Sequence, residues 1–197
     1  MAEGVLLDTS FLICFADPTQ RHHETARRYM DFFASEGVLM YLSTVVAAEF
    51  QLGQPVQDLP LDAFQVLPFG LRAAIASAEL EKKRVPDPDA KTPRAALKDD
   101  MKLLGQAKAG AIACVITDDE SSLFKWCERL RQSHELTTRP IKLSAGFDRS
   151  HFDPAQQHHI EFNPPAHVAP EAAASMPATP AASEAPAPQL PAPPGEG

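Results

Sequence analysis

Four acidic residues of this chain stand where carboxylates could act together. Asp8 ends the apolar run GVLLDTS, and Asp119 follows the apolar run ACVIT within two residues. Glu49 lies in the apolar segment VVAAEFQLG, and Asp100 lies in AALKDDMKLLGQAKAG. Crowded carboxylates repel one another, and burial makes their ionised forms costlier still. A cluster of them requires a positive group, and hard oxygen ligands suit Mg²⁺ or Mn²⁺ better than zinc.

Each of these acids also has an ordinary structural interpretation. Asp8 and Asp119 could each cap a helix, because aspartate is favoured at that position. Glu49 could belong to a solvated stripe, and Asp99 or Asp100 could simply favour the positive end of its helix. Asp100, however, shares its predicted helix face with apolar residues, which indicates that it points towards a sheet. A single shared site explains the positions of all four acids. The ordinary interpretations explain them only if a separate one holds for each acid.

The motifs that the sequence lacks narrow the chemistry. It contains no glycine-rich phosphate loop with its lysine, and no GxGxxG follows the first apolar run. No Ser/His/Asp or Cys/His arrangement stands out. The three cysteines, Cys14, Cys114 and Cys127, show no CxxC spacing and are expected to be reduced core thiols. Carboxylates without a nucleophile or cofactor motif favour water activated by a metal ion and directed at a phosphodiester.

Apolar runs alternate with helical patterns along the chain, which predicts an α/β fold. The predicted strands are GVLLDTS, VLMYLST, FQVLPF, ACVIT and IKLSA. The predicted helices are residues 22–36, VVAAEFQLG, LRAAIASAELEKKR, AALKDDMKLLGQAKAG and SSLFKWCERLRQ. Strands of this kind form a buried parallel sheet. Right-handed crossovers then place all carboxyl ends of the strands at one edge, where ligands of such sheets bind.

The composition changes near residue 150. Residues 151–197 hold eleven of the 19 prolines and five acids, with no lysine or arginine, so residues 1–150 carry −3 of the formal charge of −8. We therefore expect a domain over residues 1–150 and a Pro/Ala-rich, disordered tail over residues 151–197. No apolar run is long enough for a membrane span, and MAEGVLLDTS lacks the layout of a secretion signal. A cytoplasmic location is expected.

Four short motifs together resemble the PIN-domain ribonucleases and, within them, the VapC-like group. They are LLDTS, AAEF, KDDMKLLGQA and VITDD, and the resemblance covers roughly residues 4–146. It implies a Rossmann-like three-layer α/β/α sandwich whose parallel sheet of about five strands has the order 3-2-1-4-5. It also implies an acidic pocket that binds Mg²⁺ or Mn²⁺ and hydrolyses RNA, leaving a 5′-phosphate and a 3′-hydroxyl.

The resemblance assigns roles to individual positions. Asp8, Glu49, Asp100 and Asp119 match the acids that are catalytic and bind metal. Ser10 and Thr117 are supporting hydroxyls, and Asp99 and Asp118 are neighbours whose roles a shift of one residue would exchange. Basic residues near the loop before Asp100 are weaker candidates for RNA binding: Lys82, Lys83, Arg84, Lys91, Arg94 and Lys98.

Partners and rival functions follow from the same resemblance. The toxin members of the family pair with an antitoxin whose segment lies across the acidic groove. Apolar side chains such as Phe11, Phe15, Tyr29 and Phe33 could contact an antitoxin or form a homodimer, or could simply be core. The alternative function is a non-catalytic PIN-fold module that binds RNA or protein and recruits partners through its tail. A receiver-type phosphoacceptor domain would leave Glu49 unexplained, and a haloacid-dehalogenase-type phosphatase would need an aspartate where Ser10 stands.

Overall fold

A computed structural model describes residues 4–83 and 94–153, with the side chains of the second range described from residue 98 onward. The strands are β1 (Val5–Leu7), β2 (Met40–Ser43), β3 (Phe64–Leu67), β4 (Cys114–Thr117) and β5 (Arg139–Lys142). The helices are α1 (Thr9–Ala16), α2 (His23–Glu36), α3 (Thr44–Gly53), α4 (Leu71–Lys83), α5 (Arg94–Ala109) and α6 (Leu123–Gln132). Short 3₁₀ helices span Val56–Asp58, Leu61–Ala63, Leu143–Ala145 and Arg149–Phe152.

The five strands form one parallel sheet in the order β3-β2-β1-β4-β5. This order confirms the predicted fold. Every residue of β1 and β4 is buried, so both faces of the centre of the sheet are covered. In register, Leu7 lies between Leu42 of β2 and Ile116 of β4, and the end of β1 is thus flanked by the ends of its two neighbours. The residues that follow these strands meet at a single edge, which we call the carboxyl edge.

Helix α1 was not predicted from its sequence. The run TSFLICFA is apolar around almost its whole circumference and lacks the periodicity that marks a helix with a solvent face. In the structure it begins directly after Asp8 and buries Phe11, Leu12 and Cys14. Its exposed side is itself apolar, because Ile13 is 42% exposed, so no polar face reveals the period of this helix.

Helices α4 and α5 pack together very closely. A Cβ atom on Gly105 of α5 would lie 2.0 Å from Ser77 Oγ and 2.8 Å from the Ala73 carbonyl oxygen of α4. Only glycine can occupy this position without moving the helices apart. Both helices end at the opposite end of the sheet from the carboxyl edge. Lys83 at the end of α4 and Lys108 near the end of α5 both lie close enough to Glu135 to lower its pKa, and Glu135 precedes the start of β5.

The described chain continues past the predicted domain boundary at residue 150. Phe152 packs against Phe33 with 5.0 Å between ring centroids, and Arg139 of β5 donates to the carbonyl oxygen of His151. Residues 154–197, most of the predicted tail, lie outside the described residues. Tyr29 and Phe33 are fully buried inside the domain, as is Phe11, so these three are core residues rather than contact surface.

Other general expectations concern the cysteines and the membrane. Cys14, Cys114 and Cys127 are buried thiols that form no disulfide, as predicted. Within residues 4–83 and 94–153, no helix has both the length and the apolar character needed to cross a membrane.

Candidate active site

Asp8 stands at the centre of the carboxyl edge. Its backbone N–H donates to the Ile116 carbonyl oxygen at 3.1 Å, which continues the β1–β4 ladder by one residue. Asp8 occupies the N-cap position of α1, but its side chain makes no capping bond. Instead, Oδ2 accepts hydrogen bonds from Ser10 Oγ at 2.6 Å and Thr117 Oγ1 at 2.7 Å. These two hydrogen bonds hold the Asp8 carboxylate at the end of the sheet, and it does not cap α1.

The hydroxyls of Ser10 and Thr117 connect Asp8 to the loop after β4. Their oxygens lie 3.2 Å apart. Ser10 Oγ accepts from the Asp118 backbone N–H at 2.8 Å, and Thr117 Oγ1 accepts from the Asp119 N–H at 2.9 Å. Since each hydroxyl both donates and accepts, the pair fixes the path of this loop relative to the Asp8 carboxylate.

Glu49 reaches the same place from α3. This helix starts immediately after β2, where Ser43 Oγ caps it by accepting from the Val45 N–H at 3.0 Å. Thr9 Oγ1 donates to Glu49 Oε2 at 2.5 Å. Burial raises the pKa of Glu49 despite this hydrogen bond, and the charges of nearby Asp8 and Asp99 raise it further. The helix thus holds the Glu49 carboxyl where other negative charges act on it.

Asp100 enters the cluster from α5. Its Oδ2 accepts a hydrogen bond from Ser122 Oγ. Burial raises the Asp100 pKa to about 7, against the effect of that hydrogen bond, and the charges of Asp8, Asp119 and Glu49 add to the rise. Burial also raises the pKa of Asp8, although its two hydroxyl donors oppose the change. All four predicted acids therefore lie within one electrostatic neighbourhood.

The two adjacent aspartates after β4 differ in their surroundings. Asp119 Oδ1 accepts from the backbone N–H groups of Ser121 and Ser122 at 2.9 and 3.0 Å. These bonds close a turn before α6, whose N-cap is Ser122, so Asp119 is not the helix cap considered from the sequence. Asp118 turns the other way, with Oδ1 3.8 Å from His22 Nε2 and Oδ2 3.9 Å from Cys14 Sγ. Asp118 Oδ1 is buried, and no donor among the described residues forms a hydrogen bond with it. Of the pair, Asp119 is the one whose charge acts on Asp100.

Asp99 lies beside the cluster, on the wall of a groove between α3 and α5. Its Oδ1 is 2.6 Å from Lys102 Nζ. The groove has a volume of about 450 Å³ and is lined by Thr44, Val45, Ala48, Glu49, Leu52, Asp99 and Lys102. Leu52 lines the groove and is 90% exposed. Glu49 lines the same groove and belongs to the acidic cluster. An apolar side chain and a site carboxylate therefore share one open groove.

Gln106 is a residue of the site region that sequence reasoning missed. It is only 1% exposed, and it joins three elements. Its Oε1 accepts from Ser43 Oγ at 2.6 Å, and its Nε2 donates to the Leu67 carbonyl oxygen at 2.8 Å. These bonds tie α5, which carries Asp100, to the ends of β2 and β3. A glutamine on the apolar face of its helix, one turn after Leu103, was the available signal.

Two of the basic residues suggested for RNA binding, Lys82 and Lys83, do not lie at this site. Lys82 and Lys83 end α4, and Lys83 Nζ lies 3.0 Å from Glu135 Oε1. That end of α4 is remote from the carboxyl edge, where α4 begins. Lys98 is exposed on α5. Arg84 and Lys91, together with the side chain of Arg94, lie outside the described residues.

The donors suit a hard divalent cation by their chemistry, although they are not arranged as ligands. Buried carboxylates here raise one another's pKa, and Mg²⁺ or Mn²⁺ prefers such oxygens and would offset their repulsion further than Lys102 does at Glu49. Among the residues that the structure describes, however, no three histidine, cysteine or acidic side chains are close enough to hold one ion. The electrostatics fit a cation, and ligation would require these side chains to move.

A parallel sheet in the order 3-2-1-4-5, with acids from β1, α3, α5 and the loop after β4 at its carboxyl edge, is the arrangement that the resemblance to the PIN-domain ribonucleases implies.

The chain is similar in structure to two VapBC crystal structures. The chain resembles VapBC2 from Rickettsia felis, in a crystal structure bound to a DNA fragment from the promoter, with 14% identity and a TM-score of 0.48 over 69% of this chain and 97% of that one. It also resembles DNA-bound VapBC from Salmonella typhimurium, with 18% identity and a TM-score of 0.45 over 72% of this chain and 98% of that one. No protein-family model and no curated protein matches the sequence. At these identities the likeness concerns fold, so function must be argued from the residues.

Proposed function

We propose that this protein is an endoribonuclease that depends on Mg²⁺ or Mn²⁺ and hydrolyses RNA phosphodiester bonds in the cytoplasm. The observation that carries the proposal is the environment of Asp100. Burial and the charges of Asp8, Asp119 and Glu49 raise its pKa to about 7. Such repulsion costs stability, and strongly perturbed groups of this kind cluster at functional sites.

Asp8, Glu49, Asp100 and Asp119 would hold the ion. When bound, it supplies an activated water and positive charge at the phosphate. The chain itself orients the carboxylates: Thr117 and Ser10 donate to Asp8, Thr9 donates to Glu49, and Ser122 donates to Asp100. These hydrogen bonds keep three of the four acids at one edge of the sheet, where movement of the side chains would complete the ligand set.

The proposal includes an antitoxin as partner, with the groove between α3 and α5 as its docking place. The exposed Leu52 offers an apolar contact, and Glu49 and Asp99 offer charge to a basic side chain of the partner. The alternative is a non-catalytic module that uses the same groove for binding alone. The two functions differ in one respect, because only the nuclease needs the carboxylates to be ionised around a metal ion.

The test is cleavage of a fluorescent single-stranded RNA by Asp8→Asn, Asp100→Asn and Asp119→Asn proteins. Each substitution keeps an oxygen that can accept the hydroxyl or backbone hydrogen bonds and removes only the charge. We expect each to lower the cleavage rate by about 100-fold or more, and EDTA to abolish cleavage by the unsubstituted protein. Asp62→Asn, at an exposed position, is the matched control and should cleave normally.

Equal cleavage by all of these proteins would reject the site. Comparison of Asp118→Asn with Asp119→Asn determines which of the neighbours belongs to it, and we expect the larger loss for Asp119→Asn. Absence of cleavage by the unsubstituted protein, with RNA binding retained, would favour the binding module. Suppression of cleavage by a purified antitoxin, lost in Leu52→Asp, would support the docking groove.

A further inference from the structure

Lys142 lies at the carboxyl end of β5, on the far side of the cluster from the groove. In register it is paired with Thr117, which donates to Asp8 Oδ2. Two strand spacings separate β5 from β1, so the backbones of these two strands lie roughly 10 Å apart. A single extended nucleic-acid strand can span that distance.

The Lys142 ammonium group is held at the surface in a defined position. Its Nζ lies 2.8 Å from Glu120 Oε2 and 4.6 Å from the centroid of the Phe124 ring. Ser144 Oγ also donates to Glu120, which steadies the acid. The Lys142 side chain remains 36% exposed, and an ammonium group has several N–H donors, so donors remain for a phosphate oxygen.

Lys102 lies on the other side of the acidic cluster, in the groove between α3 and α5. Its Nζ lies 2.6 Å from Asp99 Oδ1, and its side chain is 42% exposed. It is near enough to Glu49 to lower the pKa of that group. Lys102 and Lys142 are thus two partly exposed lysines, each in an ion pair with an acid, on opposite sides of the carboxylates.

We propose that Lys102 and Lys142 bind phosphates on either side of the scissile bond of a single RNA strand. This inference rests on the proposed function. The strand would cross from the groove between α3 and α5 to the end of β5, and the lysines would offset its repulsion from the acidic cluster. The carboxylates are buried or half-buried, so a strand that can bend into the site fits better than a rigid duplex.

The experiment measures binding separately from cleavage. A fluorescein-labelled single-stranded RNA is titrated with the full-length Asp100→Asn protein in Mg²⁺, and anisotropy is followed at several salt concentrations. Lys102→Ala and Lys142→Ala should each weaken binding by roughly 3- to 10-fold and reduce the slope of log K against log salt by about 0.7. Lys142→Arg should restore most of the binding.

Lys83→Ala is the matched control. Lys83 is also an exposed lysine in an ion pair, 3.0 Å from Glu135, but it lies away from the carboxyl edge. We expect it to leave both the affinity and the salt slope unchanged. In the cleaving protein, Lys142→Ala should raise KM and leave kcat nearly constant, because the contact is made before and during the reaction.

The outcomes separate this inference from the function on which it rests. Equal effects of Lys83→Ala and Lys142→Ala, an unchanged salt slope, or equal competition by duplex RNA would overturn the assignment. Failure of every protein to bind RNA would overturn it too. RNA bound through the two lysines, without cleavage by the unsubstituted protein, would leave the inference standing and reject only the nuclease.

Discussion

Acidic side chains at the two ends of the sheet have pKa values shifted in opposite directions. At the carboxyl edge, Asp8, Glu49 and Asp100 are buried or half-buried, and burial raises the pKa of each. At the other end, acids and lysines meet as exposed ion pairs, with Lys83 3.0 Å from Glu135 and Lys108 3.8 Å from Glu79. There the pairing lowers the pKa of Glu135.

The difference distinguishes structural from functional charge in this molecule. Exposed pairs contribute little to stability and demand nothing of the fold. Buried like charges lower stability, and the hydrogen bonds to Asp8 and Glu49 come from hydroxyl groups, while the charge of Lys102 also acts on Glu49. An arrangement that costs stability and is held in place by several elements indicates selection for binding or catalysis.

The largest stability effect should come from Gln106, which fixes one acid-bearing helix to the sheet. Gln106→Leu leaves the Ser43 hydroxyl and the Leu67 carbonyl group without their partner. We expect a loss of about 1–3 kcal/mol in the free energy of unfolding, measured with urea. Gln65→Leu, at an exposed position of β3, is the matched control and should change stability little. An equal loss in both variants would show that the buried bonds do not hold the site.

Removal of a charge from the acidic edge should do the reverse and stabilise the protein. The Asp100 pKa is about 7 in the folded protein against an ordinary 3.8. Between these values the folded protein binds more protons than the unfolded chain, so the free energy of unfolding falls as pH rises and levels off above about pH 7. Asp100→Asn should flatten this slope and, in EDTA at pH 7.5, gain about 1–2 kcal/mol.

The check is a series of urea titrations between about pH 5 and 8, in EDTA and in Mg²⁺. Since a cation at the cluster would compensate its repulsion, Mg²⁺ should raise the stability of the unsubstituted protein more than that of Asp100→Asn. A slope that is the same in both proteins would contradict the electrostatic account of this edge.

The smallest effect should come from the opposite end. Glu79→Gln removes an exposed ion pair with Lys108 and should change the free energy of unfolding by about 0.5 kcal/mol or less. Cleavage of RNA should be unaffected. A loss as large as that of Gln106→Leu would mean that the two ends of the sheet do not differ as described.

Local patterns predicted most of the fold but not every element. Alternating apolar runs and helical patterns indicated the five strands and five of the six helices in the described residues. Helix α1 was missed because its exposed side carries the apolar Ile13, so no polar face reveals its period. Asp119 was considered as a helix cap, but Ser122 is the N-cap of α6, and Asp119 Oδ1 instead closes the preceding turn while the Asp119 charge acts on Asp100.

The amino-acid sequence by itself determined the α/β fold and the identity of the acids, because periodicity and residue type are local properties. Only the tertiary structure decided which neighbour of each Asp–Asp pair faces the cluster, that Gln106 ties α5 to the sheet, and that Lys142 rather than Lys83 lies beside the acids. These depend on strand register and on the direction in which each helix runs, and both arise from packing between residues far apart in the chain.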